Sequence, residues 1–132
     1  MKAFTDLEVW KKSRVLRNDI SKLTKFFPPE EKYRLVDQVI RSSRSVGNNI
    51  AEGHGRFHYN DSSKFLINAR GSATETLDHL IVALDEGYIT DEIFNNFKSD
   101  IDECLRMLNG YINYLKAQSE SKPINKLTGT NL

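Results

Sequence analysis

The chain contains one cysteine, Cys104, so it can form no internal disulfide. A lone thiol fits a reducing compartment, and a cytoplasmic protein is expected. There are three prolines, Pro28, Pro29 and Pro123, which leaves long stretches free to be helical. No apolar run is long enough to span a bilayer and no charged-then-apolar leader opens the chain, so no membrane partner is expected. The alternating pattern of a half-buried strand does not occur. There is also no Gly-x-Gly-x-x-Gly, and Gly53-His54-Gly55 lacks the lysine that a P-loop needs, which excludes those phosphate cradles.

What is present suits one globular domain. The 132 residues are 39% hydrophobic and 28% charged, enough apolar material for a real core. The net charge of +1 conceals an asymmetry: residues 1–56 carry +5 and residues 57–132 carry −4. The plain explanation is mutual neutralisation inside one domain. The sharper one is that basic and acidic surfaces meet between copies, or that the basic half faces an anion.

Helical periodicity fills the chain. Val9, Ser13, Leu16, Ile20, Leu23 and Phe27 recur by four and three, with Lys11, Arg14, Asn18, Lys22 and Lys25 on the opposite face and Leu7 and Trp10 on a flank. Thr5 or Asp6 is the expected N-cap. Pro28-Pro29 stops this helix and starts the next, whose stripe is Val36, Val39, Ser43, Val46 and Ile50, widened by Tyr33, Ile40, Gly47 and Ala51. Gly53 and Gly55 read as helix-ending residues. Asn60 or Asp61 caps a third helix lined by Leu66, Ala69, Ala73, Thr76, Leu80 and Ala83, with a weaker stripe of Ile67, Gly71, Thr74 and Ile81 facing away from the core. Thr90 caps a fourth, on which Phe94, Phe97, Ile101, Cys104, Leu108, Tyr111 and Leu115 repeat without a break. The expectation is an all-α, antiparallel up-down four-helix bundle over 1–117, with helices at about 6–27, 30–54, 61–86 and 91–117. Residues 118–132 read as a polar tail.

Residues 41–55, RSSRSVGNNIAEGHG, form helix poorly yet sit in the second half of a helix. Close packing or a function must hold them. Ser42 and Asn49 fall on a flank, within reach of Ser72 or Glu75 of the third helix. Asn49, Glu52, Ser72 and Glu75 are therefore expected to hold a polar seam within the bundle or between subunits.

Patterns that would support catalysis are scarce. No Glu-x-x-His of the di-iron kind occurs. Glu75 and His79 form one flank pair, too few ligands for a metal, and Glu52, His54 and His58 straddle a helix end without a cysteine. Cys104 lies mid-stripe, where a buried thiol is inert. No catalytic residue, metal or cofactor is expected. The basic face of the first helix, with Arg34, Arg41, Arg44 and Arg56 nearby, could touch phosphates, although such a face is usually only solvated. Lys11, Arg14, Lys22, Lys25 and Arg41 are the nucleic-acid candidates.

Four stretches carry a family likeness: FTDLEVWKKSR at Phe4 to Arg14, NNIAEGHGR at Asn48 to Arg56, KFLINARGSATET at Lys64 to Thr76, and MLNGYI at Met107 to Ile112. In this order they resemble the bacterial large-subunit (23S) rRNA intervening-sequence proteins. SSRSVGNN departs from the alanines and proline that the family often shows there. The resemblance implies a four-helix bundle with no established enzymatic activity. Such proteins are similar to the accessory protein of diversity-generating retroelements, a barrel-like homopentamer that contacts RNA and a reverse transcriptase. It thus implies a ring-like homo-oligomer, with five subunits favoured, and RNA or an RNA-associated protein as a partner besides the chain itself. The off-core positions Leu7, Trp10, Ile67, Thr74 and Ile81 are the expected oligomer contacts.

Overall fold

The computed structural model describes residues 3–120. Among these residues there are four long helices and no strand: α1 (Glu8–Thr24), α2 (Leu35–His54), α3 (Tyr59–Asp85) and α4 (Asp91–Glu120). Short 3-10 turns, Phe4–Asp6 and Pro29–Glu31, precede α1 and α2. Each helix packs on the next and α1 closes on α4, while α1 and α3 lie diagonally across the bundle without close backbone contact. Neighbours run antiparallel, as the α2–α3 pairs show: Ser42 meets Thr76, and Ser45 meets Ser72 one turn on.

The core follows the apolar stripes. Val9, Leu16, Ile20, Val39, Val46, Ile50, Leu66, Ala69, Ala73, Leu80, Ile101, Cys104 and Leu108 form one buried cluster. A second cluster of Phe27, Leu35, Ala83 and Ile89 closes the end that holds the α1–α2 and α3–α4 links. Tyr88 donates to Glu31 across that end at 3.0 Å, joining the two links. Burying the valines, leucines, isoleucines and phenylalanine of the two clusters contributes about 1.5–3 kcal/mol each relative to exposure.

The helix ends differ from the sequence expectation. Neither Thr5 nor Asp6 caps α1: Leu7 holds that position with no side-chain bond, and the Asp6 carboxylate accepts from the Ala3 N–H at 3.2 Å, closing the preceding turn. α1 stops at Thr24, because Lys25, Phe26 and Phe27 tighten onto carbonyls three residues back and swing Phe27 into the end cluster. The two prolines start a single 3-10 turn rather than α2. Arg34, at φ −120° and ψ −105°, breaks helical continuity before Leu35. Tyr33 thereby falls outside the helix and is 83% exposed instead of widening the core, and Leu35 is buried where Val36 was expected. Asn60 and Asp61 sit inside the first turn of α3, with His58 at the cap position. Thr90 does cap α4, accepting from the Ile93 N–H at 3.2 Å. Gln118 to Glu120 continue α4, and the rest of the expected tail lies outside the described residues.

Gly55 caps the C-terminal end of α2, as expected, whereas Gly53 serves close packing instead of helix termination. Neither has positive φ; among the described residues only Gly87 does, at +79° in the α3–α4 turn. Gly53 lies within α2 and is buried. A β-carbon there would stand 3.1 Å from the Ser62 carbonyl oxygen and 3.2 Å from the Leu66 side chain. Gly53→Ala is therefore expected to cost about 1–3 kcal/mol of stability through overpacking. Gly55→Ala, whose β-carbon meets nothing closer than 3.6 Å, is expected to be neutral or to stabilise by up to about 1 kcal/mol. Urea denaturation of the two variants checks this contrast.

Candidate functional site

The weak helix formers of α2 are satisfied locally. Ser42 and Ser43 donate to the carbonyls of Val39 and Ile40, three residues back, at 3.2 and 3.0 Å. Ser13 does the same to Trp10 at 2.7 Å, and Thr76 donates to the Ser72 carbonyl at 2.8 Å. Buried hydroxyls thus keep their partners without opening the helix.

A hydroxyl seam joins α2 to α3. Ser42 and Thr76 share a hydrogen bond of 2.8 Å, and Ser72 Oγ donates to Ser45 Oγ at 2.9 Å. Asn49 Nδ2 donates along its own helix to the Ser45 carbonyl and Oγ, at 2.9 and 3.0 Å. Of the four seam candidates, Ser72 crosses between helices and Asn49 reaches it through Ser45. Glu52 pairs with Arg56, just beyond the end of α2, at 3.3 Å, and Glu75 pairs with His79 along α3 at 3.0 Å, so neither crosses between helices. Ser42, expected on a flank, is buried, and Ser45 is the hub of the seam.

The groups drawn as a metal cluster do not gather. His54 shares a 3.3 Å hydrogen bond with Tyr111 of α4. Among the described residues no three His, Cys, Asp or Glu side chains stand together in metal-binding geometry. Cys104 is buried, and burial pushes its thiol up to about 11, where it is a poor nucleophile at neutral pH.

The nucleic-acid candidates separate into different places. Lys11 pairs with Glu8 at 3.4 Å and Arg41 with Asp37 at 3.7 Å, all exposed. Arg41 also lines the α2–α3 groove with Gln38, Ser42, Ser45, Ser72 and Glu75. Lys22 and Lys25 are exposed without a carboxylate partner among the described residues, roughly 18 Å or more along α1 from Trp10. Arg14 alone joins an aromatic group. Its guanidinium lies 5.8 Å from the Trp10 ring centroid, and that of Arg17 lies 5.9 Å away. Phe4 meets the same indole edge-on at 5.2 Å. Arg44, Gly47 and Asn48 of α2 form the facing wall of a concavity of about 310 Å³. Phe4, Arg17 and Asn48 were not among the sequence candidates, and Arg44 was named only as lying near the basic face of the first helix. The spacing of Trp10, Arg14 and Arg17 by four and three marks one shared edge of α1 and is the signal that could have found it.

The oligomer candidates divide likewise. Ile67 is 47% exposed and Ile81 39%, with Thr74 exposed between them on the outer side of α3. Leu7 and Trp10 are half-buried and pack onto their own bundle's core.

The model of the 23S rRNA-intervening sequence protein family matches residues 5–110. The chain belongs to that family. A crystal structure from Bacteroides thetaiotaomicron VPI-5482, described as a protein with unknown function from the S23 ribosomal protein family, superposes with a TM-score of 0.74 at 30% identity. That alignment covers 80% of this chain and 95% of the other. No curated protein matches the chain. Neither match names a catalytic activity. The chain thus shares its helical fold with the Bacteroides thetaiotaomicron protein, and no helix among the described residues here is long and apolar enough to cross a membrane.

The α1–α4 edge is held by charge. Lys12 reaches both Asp100 and Glu103 at 3.1 Å. Burial pulls its ammonium pKa down, but the bonds to Glu103 and Asp100 and their charges outweigh this, leaving it above that of a free lysine. Raised pKa values at Lys12 and Cys104 contribute stability that is complete below the unfolded values and is lost as pH rises through the folded ones. Stability is therefore expected to hold up to about pH 9 and to fall towards about 11, the window of the Cys104 thiol. Cys104→Ala is expected to remove part of that fall, as read by denaturation midpoints across alkaline pH.

Proposed function

We propose that the protein is a non-enzymatic interaction module of the cytoplasm that works as a homo-oligomer. The observation that carries this reading is the exposed apolar row on α3, Ile67 and Ile81 with Thr74 and the uncovered Gly71 between them. This row belongs to the acidic half of the chain, and α1 of the basic half lies diagonally opposite. Unlike surfaces on opposite sides of one subunit favour a head-to-tail contact, which repeats until it closes into a ring. The likeness to the accessory proteins of diversity-generating retroelements favours five subunits.

A second reading is supported by the arginines around Trp10. Arg14, Arg17 and Arg44 have no carboxylate partner among the described residues, so they remain available to phosphates. In this reading the module is an RNA-binding accessory protein, and its binding weakens steeply with salt.

Size exclusion with light scattering tests the first reading. A discrete oligomer at micromolar concentration is expected, and Ile67→Asp combined with Ile81→Asp is expected to break it into monomers without lowering the melting temperature. A wild-type monomer at that concentration would end the proposal.

A further inference from the structure

We propose that the groove between α1 and α2 takes an unpaired nucleotide strand, with bases against Phe4 and Trp10 and phosphates on Arg17 and Arg44. This rests on the nucleic-acid reading above and gives it a site other than the lysine stripe of α1. Three features of the groove converge.

The first is unused polar capacity. The side chains of Arg44 and Asn48 form no hydrogen bond to any described residue, although both line the concavity. The Trp10 indole N–H also has no acceptor among the described residues. Its nitrogen lies 3.6 Å from where a Gly47 β-carbon would stand, so the missing side chain leaves the donor open to the groove. A guanidinium pair, an amide and an indole N–H together suit a phosphate and the edge of a base.

The second is the aromatic surface. Phe4 is 37% exposed and stands edge-on to Trp10. It also walls a second concavity of about 460 Å³, formed with Ala51, Glu52, Gly55 and Arg56. Two hollows sharing one aromatic wall fit two successive bases on either side of a ring, the stacking arrangement of single-strand sites. A duplex keeps its base faces stacked inside and cannot offer them to such a wall.

The third is the charge. Glu52, the carboxylate that lines the second hollow, is held by Arg56 at 3.3 Å. The first hollow contains no carboxylate at all.

Trp10 is the only tryptophan in the chain, so its fluorescence reports the groove directly. The test titrates the full chain at low salt with a short single-stranded oligonucleotide, as RNA and as DNA, and with the duplex of the same sequence. Saturable quenching by a single strand is expected, with little from the duplex. A response to RNA and DNA alike assigns recognition to bases and phosphates; a response to RNA alone adds the 2′-hydroxyl. Arg44→Gln and Asn48→Ala, both at exposed positions, are expected to keep the wild-type melting curve. Arg44→Gln is expected to weaken binding by about tenfold, the scale of one charge-assisted hydrogen bond, whereas Lys25→Gln, at the far end of α1, is expected to weaken it much less. Nucleic-acid binding with no quenching and no response to Arg44→Gln would overturn the groove while leaving the nucleic-acid reading intact. Equal or better binding of duplex would overturn it as well. Absence of all binding, by quenching and by gel shift, would end both.

Discussion

The bundle depends on how closely α2 can approach its neighbours. Gly53 lets the α2 end lie against the Ser62 carbonyl, and Gly47 lets it rest on Ser13 and Trp10. Ser42 and Ser45 meet Thr76 and Ser72 at hydroxyl distance. Larger side chains at these positions would drive the helices apart. Small and polar residues cost helix propensity, up to about 1 kcal/mol for each glycine. Back-bonding hydroxyls and the buried contacts of Val39, Val46 and Ile50 offset that cost. This is why a segment that forms helix poorly by itself is a helix here.

Close approach along α2 also determines what the surface presents. Arg44 and Asn48 are turned to the α1 side, while Arg41 and Ser45 are turned to the α3 side. A basic sequence half is thus divided into two edges with different company. Next to α3 the arginine meets Asp37 and a groove that includes Glu75; next to α1 it meets aromatics and no carboxylate. The opposite edge, α1 against α4, works through long side chains instead, with Lys12 spanning two acids.

Much of the architecture is legible in the residues. Ile101, Cys104 and Leu108 are buried, as their unbroken three-four spacing requires, and Leu66 to Ala83 line the inner face of α3. The helix starts are harder to read. Asp6 and Asn60 have good capping chemistry, yet a 3-10 turn and an earlier start leave them in other positions. Tyr33 fails because helical periodicity was projected through a backbone break at Arg34 that no side-chain pattern announces. The site is less legible for a related reason. Periodicity on one helix gathers Lys11, Arg14, Lys22 and Lys25 into a stripe, but it cannot show which of them a second helix will face. Only the docking of α2 brings Arg44 and Asn48 up to Trp10, and only the turn before α1 brings Phe4 there.

The two proposed activities are physically linked. A single copy with net charge +1 attracts a polyanion weakly, because the acidic half opposes the arginines at longer range. A head-to-tail ring changes that balance. The exposed outer faces of α3 would be covered by contacts between subunits, and identical grooves would recur at regular spacing around the assembly. A strand bound in one groove then meets the next at a high effective concentration, so several weak sites act as one strong site. In that arrangement the apolar row on α3 and the groove beside Trp10 serve one purpose: the first repeats the second.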